Sequence, residues 1–85
     1  MKDVIQNISN KLCYTELVYD RINKKLEIDL PRHNLEHFIK KTILDADKIE
    51  RIGKNYYVFN SLANTRITVN ANNFRVITAD RIKGS

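Results

Sequence analysis

The chain has 85 residues, of which 42% are hydrophobic and 29% are charged, and its net charge is +5 at pH 7. A length of this order gives a single domain with one core, residues 1–85, and the hydrophobic fraction excludes a disordered chain. No segment approaches the roughly 20 apolar residues of a membrane span, and polar residues interrupt the N-terminus where a signal peptide is apolar. The sequence therefore predicts a cytoplasmic protein with no membrane partner, and the positive charge favours RNA or another polyanion.

Three segments have apolar residues at helical spacing and are predicted as helices: residues 3–13, 15–26 and 34–46. Asp3, Thr15 and Asn34 are suitable residues to cap their N-termini. Pro31 separates the second helix from the third, because proline disfavours the helical conformation in the residue before it.

After Asp47 the apolar period changes from 3.6 to 2, and the chain becomes rich in Tyr, Val, Ile and Thr. Four strands are predicted: residues 48–52, 55–60, 65–70 and 73–80. Gly53-Lys54 forms a two-residue turn with glycine first, and residues 70–73 close a second hairpin. The predicted fold class is α+β, with three N-terminal helices packed on one face of a C-terminal antiparallel sheet of about four strands.

The predicted hairpins sort the strand residues onto two faces, because residues opposite one another share a face. The first hairpin places Arg51 opposite Tyr56, and the second places Thr68 opposite Arg75. The face toward the helices is predicted to carry Ile52, Tyr57, Phe59, Ile67, Val69, Phe74 and Val76. The other face is predicted to carry Arg51, Tyr56, Arg66, Thr68 and Arg75.

This second face has the residue types of an RNA-binding surface. Guanidinium groups bind phosphate and stack on bases, and tyrosine rings stack on unpaired bases. Lys24 and Lys25 on the second helix add further candidate phosphate contacts. The alternative is a solvated sheet face, on which arginine stems only cover their apolar neighbours.

Metal and cofactor sites are not predicted. His33 and His37 lie one helical turn apart, but no Asp, Glu or Cys at a suitable spacing completes a metal site. The single cysteine, Cys13, cannot form an internal disulfide, and its apolar neighbour Leu12 favours a buried thiol.

Two resemblances to known families add to this interpretation. The segments Cys-Tyr-Thr-Glu-Leu-Val-Tyr at 13–19, Gly-Lys-Asn-Tyr-Tyr-Val at 53–58 and Arg-Val-Ile-Thr-Ala-Asp-Arg-Ile at 75–82 are similar to those of a family of short, uncharacterised bacterial proteins. That resemblance covers nearly the whole chain and implies no function.

The second resemblance is more distant. A helix with Thr15-Glu16 and Arg21, a helix ending in residues 43–49, the Gly53 hairpin and a last strand at 75–79 together resemble the ribonuclease toxins of the barnase, EndoU, colicin and RelE superfamily. The resemblance implies a metal-independent endoribonuclease that an acidic, antitoxin-like protein would cover. It makes four residues phosphate-facing or catalytic, Arg21, Arg66, Arg75 and Thr78, with Tyr56 stacking on a base. Many related sequences place a histidine where this chain has Leu17.

Two other functions fit the same elements. A winged-helix DNA-binding domain also has three helices followed by hairpins, and its third helix would here present His33, His37, Lys40 and Lys41. A non-enzymatic inhibitor or adaptor would use Tyr56 and the arginines as protein contacts, because these residue types are enriched at interface hot spots.

Overall fold

A computed structural model describes residues 2–84 and confirms the α+β arrangement, with three helices followed by a four-stranded antiparallel sheet. The helices are α1 (Lys2–Lys11), α2 (Val18–Leu26) and α3 (Arg32–Leu44). The strands are β1 (Lys48–Ile52), β2 (Asn55–Asn60), β3 (Thr65–Asn70) and β4 (Val76–Arg81). The first three strands coincide with the predicted segments, whereas β4 begins three residues later and ends one residue later than predicted.

The helices begin at other residues than the predicted caps. α2 begins at Val18, whose N–H donates to the carbonyl of Thr15, so Thr15 acts through its backbone and not as a side-chain cap. α3 begins directly after Pro31, a non-helical N-cap residue with φ −58° and ψ 158°, whose carbonyl accepts from the N–H of Leu35 at 2.9 Å. Asn34 therefore lies inside the first turn of α3, and Asp3 inside the first turn of α1.

A left-handed residue ends α2. Glu27 has φ 57° and ψ 45°, and its N–H donates to the carbonyls of the last helical turn. The side chain of Asn23 then accepts from the N–H of Leu30 at 3.1 Å and donates to its carbonyl at 3.0 Å. These bonds hold the loop that leads to Pro31, so α3 starts at a fixed position relative to α2.

The sheet is a meander with strand order β1-β2-β3-β4. The first hairpin has the predicted register, with Arg51 opposite Tyr56, and Gly53 has φ +60° at the first turn position as predicted. The predicted register of the second hairpin is wrong. Val69 lies opposite Val76 and Thr68 opposite Thr78, so one residue, Ile77, is an extra residue in β4 and forms a bulge.

The cause of this shift lies in the turn between β3 and β4. The Asn70 side-chain oxygen accepts from the N–H groups of Asn72 and Asn73 at 2.8 and 3.1 Å, which tightens the turn. Phe74 then adopts φ 58°, and Arg75 pairs with Cys13 in an isolated parallel bridge. Cys13 is exposed, so the prediction of a buried thiol is wrong.

The helices cover one face of the sheet and form the core with it. All three helices contribute residues that are at most 5% exposed, such as Ile8, Ile22 and Ile39. From the sheet, the core receives Val58, Ile67, Val69, Val76 and Ala79. Ile52, predicted to face the helices, is 61% exposed. Among the described residues, the strand side chains of the other face lie outside this core.

Candidate nucleic-acid interface

The register of the sheet separates a helix-covered face from an open face. Val58, Ile67 and Ala79 lie opposite one another across β2, β3 and β4 and are at most 1% exposed, so they mark the helix-covered face. Side chains alternate along each strand, so the residues between these positions belong to the open face. The open face carries Lys48, Glu50, Tyr57, Phe59, Arg66, Thr68, Thr78 and Asp80.

A cationic side chain lies over each of two aromatic rings on the inner strand β2. The guanidinium carbon of Arg66 lies 5.8 Å from the ring centroid of Tyr57. The Nζ atom of Lys48 lies 5.0 Å from the ring centroid of Phe59. Both rings are half-buried, and because they are two residues apart along a strand their Cα atoms are separated by about 7 Å. The middle of the open face is thus an aromatic pair flanked by positive charge.

Asp80 binds two cations at the β4 side of the open face. Its Oδ2 atom lies 3.3 Å from Nη2 of Arg66, and its Oδ1 atom lies 3.0 Å from Nζ of Lys25 in α2. Partial burial raises the pKa of Asp80, but the hydrogen bonds from Lys25 and Arg66 outweigh it and hold that pKa below its ordinary value. Asp80 is therefore ionised at neutral pH and offsets one of the two positive charges.

Two polar atoms of this corner lack a partner. Within the described residues, Nε of Arg66 and Oγ1 of Thr78 are buried and make no hydrogen bond. Thr78 lies opposite Thr68, which is only 4% exposed. An unmade hydrogen bond on a buried polar atom costs about 1–3 kcal/mol, so this corner carries a local cost to stability.

Arg21 is exposed on α2, the helix whose Lys25 contacts Asp80. It lies one turn, about 6 Å, before Lys25 on the same side of α2.

A protein-family comparison covers this whole architecture. The model of a family described as "Protein of unknown function (DUF3781)" matches residues 6–80, from the middle of α1 to Asp80 in β4. The chain belongs to the DUF3781 family. No curated protein and no solved structure matches it significantly. Membership of an uncharacterised family is therefore confirmed, while the resemblance to ribonuclease toxins stays a prediction.

In this DUF3781 chain, two residues of the predicted nucleic-acid face lie on the helix-covered face. Tyr56 is opposite Val69, which is fully buried, and it packs against the core. Arg51 lies opposite Tyr56 with its guanidinium carbon 5.7 Å from the ring centroid. The prediction that Arg51 and Tyr56 share a face with Arg66 and Thr68 is wrong.

The physical reason is that β3 decides the faces of β2. Both sets of alternate residues in β2 include apolar or aromatic side chains, so the pattern of β2 alone does not show which set faces the core. In β3, Ile67 and Val69 alternate with polar residues, and they must face the core. Their partners Val58 and Tyr56 then face the core too, and Tyr57 and Phe59 are placed on the open face, contrary to the prediction.

The bulge at Ile77 moves two further residues of the DUF3781 chain away from their predicted positions. Thr78 takes the place opposite Thr68 that was predicted for Arg75. Arg75 precedes β4, is exposed, and lies beside Cys13. Of the four residues that the ribonuclease resemblance implies, Arg66 and Thr78 therefore share the open face, Arg21 is exposed on α2, and Arg75 lies just before β4.

The remaining predicted contacts lie on α2. Lys24 and Lys25 are both exposed, and Lys25 reaches the open face through Asp80. Lys48 and Phe59 were not predicted as site residues, and Tyr57 was assigned to the core. The sequence signal for all three was the pairing of β2 with β3. Ile67 must face the core, so its partner Val58 also faces the core, and the residues on either side of Val58 face the opposite way.

The described part of the DUF3781 chain contains no group of three or more His, Cys, Asp or Glu residues that could hold a metal ion. His33 and His37 are exposed on α3. Among the helices of residues 2–84, none has the length and apolar character that a membrane crossing requires.

Proposed function

We propose that the open face of the sheet binds single-stranded RNA. The observation that carries the proposal is the pair of rings, Tyr57 and Phe59, side by side on an inner strand and flanked by Arg66 and Lys48. Proteins recognise single-stranded RNA by stacking unpaired bases on aromatic side chains and by contacting phosphates with cations. A sheet with one face packed by helices and one face open provides a surface for this.

The cations over the rings do not block such stacking. A cation–π contact at an exposed site is worth about 0.5–1 kcal/mol, whereas stacking of a base on an aromatic ring is worth about 1–3 kcal/mol. A base therefore replaces Lys48 over Phe59, and the displaced ammonium is free to contact a phosphate. Lys48 is 59% exposed, and its Nζ atom lies 3.9 Å from Oε2 of Glu50, so the movement breaks only a surface ion pair worth about 0–1 kcal/mol.

We further propose that the protein cleaves the RNA that it binds, and this part of the proposal rests on the ribonuclease resemblance. Arg66, whose side chain is 40% exposed, would offset charge that develops on phosphorus. The Thr78 hydroxyl is buried, so it would have to be uncovered before it could donate to a phosphate oxygen. The position at which many related sequences have histidine is Leu17, which is 75% exposed and carries no transferable proton. Proton transfer would therefore require another group, and Tyr57 and Lys25 are the candidates that the open face offers. In a toxin of this type, an acidic protein partner would cover the same face.

Fluorescence anisotropy with a labelled single-stranded RNA of about 12 nucleotides tests binding at low salt. Tyr57→Leu should weaken binding by roughly 5- to 100-fold, the equivalent of one stacked base. Lys48→Met and Arg51→Met form a matched pair, because each removes one positive charge from β1 but on opposite faces of the sheet. The proposal predicts the larger loss for Lys48→Met. Equal losses for the pair, tighter binding to duplex DNA, or no binding to RNA would refute it.

A second measurement separates cleavage from binding. The protein is incubated with RNA in EDTA, and the products are resolved on a denaturing gel. Fragments that disappear with Arg66→Met and Thr78→Val support the metal-independent nuclease. Intact RNA alongside measurable binding removes cleavage and retains the binding function.

A further inference from the structure

A second polar site lies in the helical layer, on the side of the molecule away from the open face. A cavity of about 320 Å³ separates α1 from the N-terminal half of α3. One wall comes from α1 and the segment after it, and the other from α3. The lining residues are Ser9, Asn10, Leu12, Tyr14, His33, Glu36, His37 and Lys40.

The α3 wall presents a row of nitrogen donors. His33, His37 and Lys40 are spaced by four and three residues, which places them on one side of the helix. None of the three takes part in an ion pair within residues 2–84. The adjacent Lys41, by contrast, pairs with Asp45 at 3.8 Å. His33 also lies in the first turn of α3, where the helix dipole favours negative charge.

The opposite wall adds two neutral donors. The Asn10 side-chain oxygen accepts from Nε2 of Gln6 at 3.3 Å, and this orients the Asn10 amide. The Tyr14 hydroxyl donates to the Glu36 carbonyl over 3.4 Å, a long bond that a better acceptor can replace. Burial, reinforced by Glu36, raises the pKa of Tyr14 well above its usual range, so its phenol stays a protonated donor.

Glu36 is the one carboxylate in the cavity lining. Its Oε2 atom accepts a hydrogen bond from the hydroxyl of Tyr19 at 2.6 Å, so part of its acceptor capacity is already used. Its negative charge offsets that of Lys40.

We infer that this cavity binds a small phosphate-bearing anion. A phosphate group offers three strong acceptor oxygens, which suits a row of donors on one wall and neutral donors on the other. The volume is near the lower limit of about 300 Å³ for small-ligand sites, which favours a small molecule over a polymer.

The chain has only two histidines, and both line the cavity, so their ring signals in an NMR spectrum report on this site directly. Titration of the full chain with inorganic pyrophosphate should shift both signals saturably and with a single dissociation constant. Lys40→Met should weaken binding about tenfold, the cost of one charge-assisted hydrogen bond. Lys41→Met removes the same charge from the same helix outside the cavity and should change binding by less than about twofold.

Several results would overturn the inference. Shifts that do not saturate, or equal losses for Lys40→Met and Lys41→Met, would show diffuse attraction to a basic helix. A single-stranded RNA that shifts the histidine signals while pyrophosphate does not would assign these residues to a polymer. By contrast, loss of RNA binding in Tyr57→Leu with unchanged pyrophosphate binding would support the inference, because it would show that the two sites are independent.

Discussion

Arg66 and Asp80 face each other across β3 and β4, and Nη2 of Arg66 lies 3.3 Å from Oδ2 of Asp80. The same carboxylate holds Lys25 at 3.0 Å, so a single acidic residue ties α2 to the open face and restrains two of its cations. Asp80 thus has opposing effects in the proposed function. It positions Arg66 beside Tyr57, and it lowers the positive charge available to a phosphate.

Replacement of Asp80 separates these effects. Asp80→Asn should strengthen RNA binding by about two- to fivefold at low salt, because one negative charge leaves the face. It should also lower the free energy of unfolding by about 0.5–1 kcal/mol, the range for ion pairs whose cations are largely exposed. Anisotropy titrations at several salt concentrations and urea denaturation measure the two effects. Glu16→Gln, which removes an exposed carboxylate near the start of α2, is the control and should leave RNA affinity within about twofold. Weaker RNA binding by Asp80→Asn would mean that positioning of Arg66 dominates.

Arg81 is predicted to be a main stabilising contact between α2 and the sheet. Its guanidinium donates to the Leu26 carbonyl at 3.0 Å, the Thr65 hydroxyl at 3.0 Å and the Ala63 carbonyl at 3.2 Å. Arg81→Met keeps much of the side-chain volume and should cost about 2–3 kcal/mol, because hydrogen bonds from a charged donor are each worth about 1.5–3 kcal/mol and are not additive.

Urea denaturation measures this loss as a lower midpoint at an unchanged slope. Lys83→Met is the matched control, since Lys83 is exposed and only its backbone is bonded, to Asn64. A loss below about 0.5 kcal/mol in Arg81→Met would contradict the assignment.

The sequence predicted the elements well where one periodicity was strong. Helical spacing located all three helices, and the change to a period of 2 after Asp47 located the sheet. Gly53 determined the first hairpin, because only a residue that tolerates positive φ fits the first position of that turn. Local rules of this kind need no knowledge of the rest of the fold.

The site was harder to predict because it depends on two non-local features. Tyr57 lies on the open face because it pairs with Thr68. The pattern of β2 alone does not show this, since apolar or aromatic side chains occur in both of its sets of alternate residues. The position of Thr78 follows from the bulge at Ile77, and that bulge depends on the conformation of Phe74, which has φ 58° although it is not a glycine. Neither feature can be recognised from the pattern of the residue's own strand.

The C-terminus of α2 offers a stabilising substitution. Glu27 occupies the left-handed conformation with φ 57°, which costs a residue with a Cβ about 1–2 kcal/mol. Glu27→Gly removes that strain but adds entropy to the unfolded chain, so the expected net gain is about 0.5–1 kcal/mol. Thermal or urea unfolding measures it. Glu27→Ala removes the same carboxylate without relieving the strain and should give no gain, so equal gains in both variants would point to charge as the cause.

Tyr19 makes stability fall at high pH. Burial, followed by the 2.6 Å hydrogen bond to Glu36, raises the pKa of Tyr19 from 10.0 to about 12. Because the folded-state pKa lies above the unfolded value, this stabilisation is fully present below about pH 10 and is lost as the pH rises through about 12. The unfolding free energy of the wild type should therefore decline over that interval, and Tyr19→Phe should show a smaller decline. Glu36→Gln removes the carboxylate that stabilises the neutral phenol, so the ultraviolet absorbance of one phenolate should appear at lower pH than in the wild type. An unchanged absorbance titration in Glu36→Gln would show that the hydrogen bond between Tyr19 and Glu36 does not govern this ionisation.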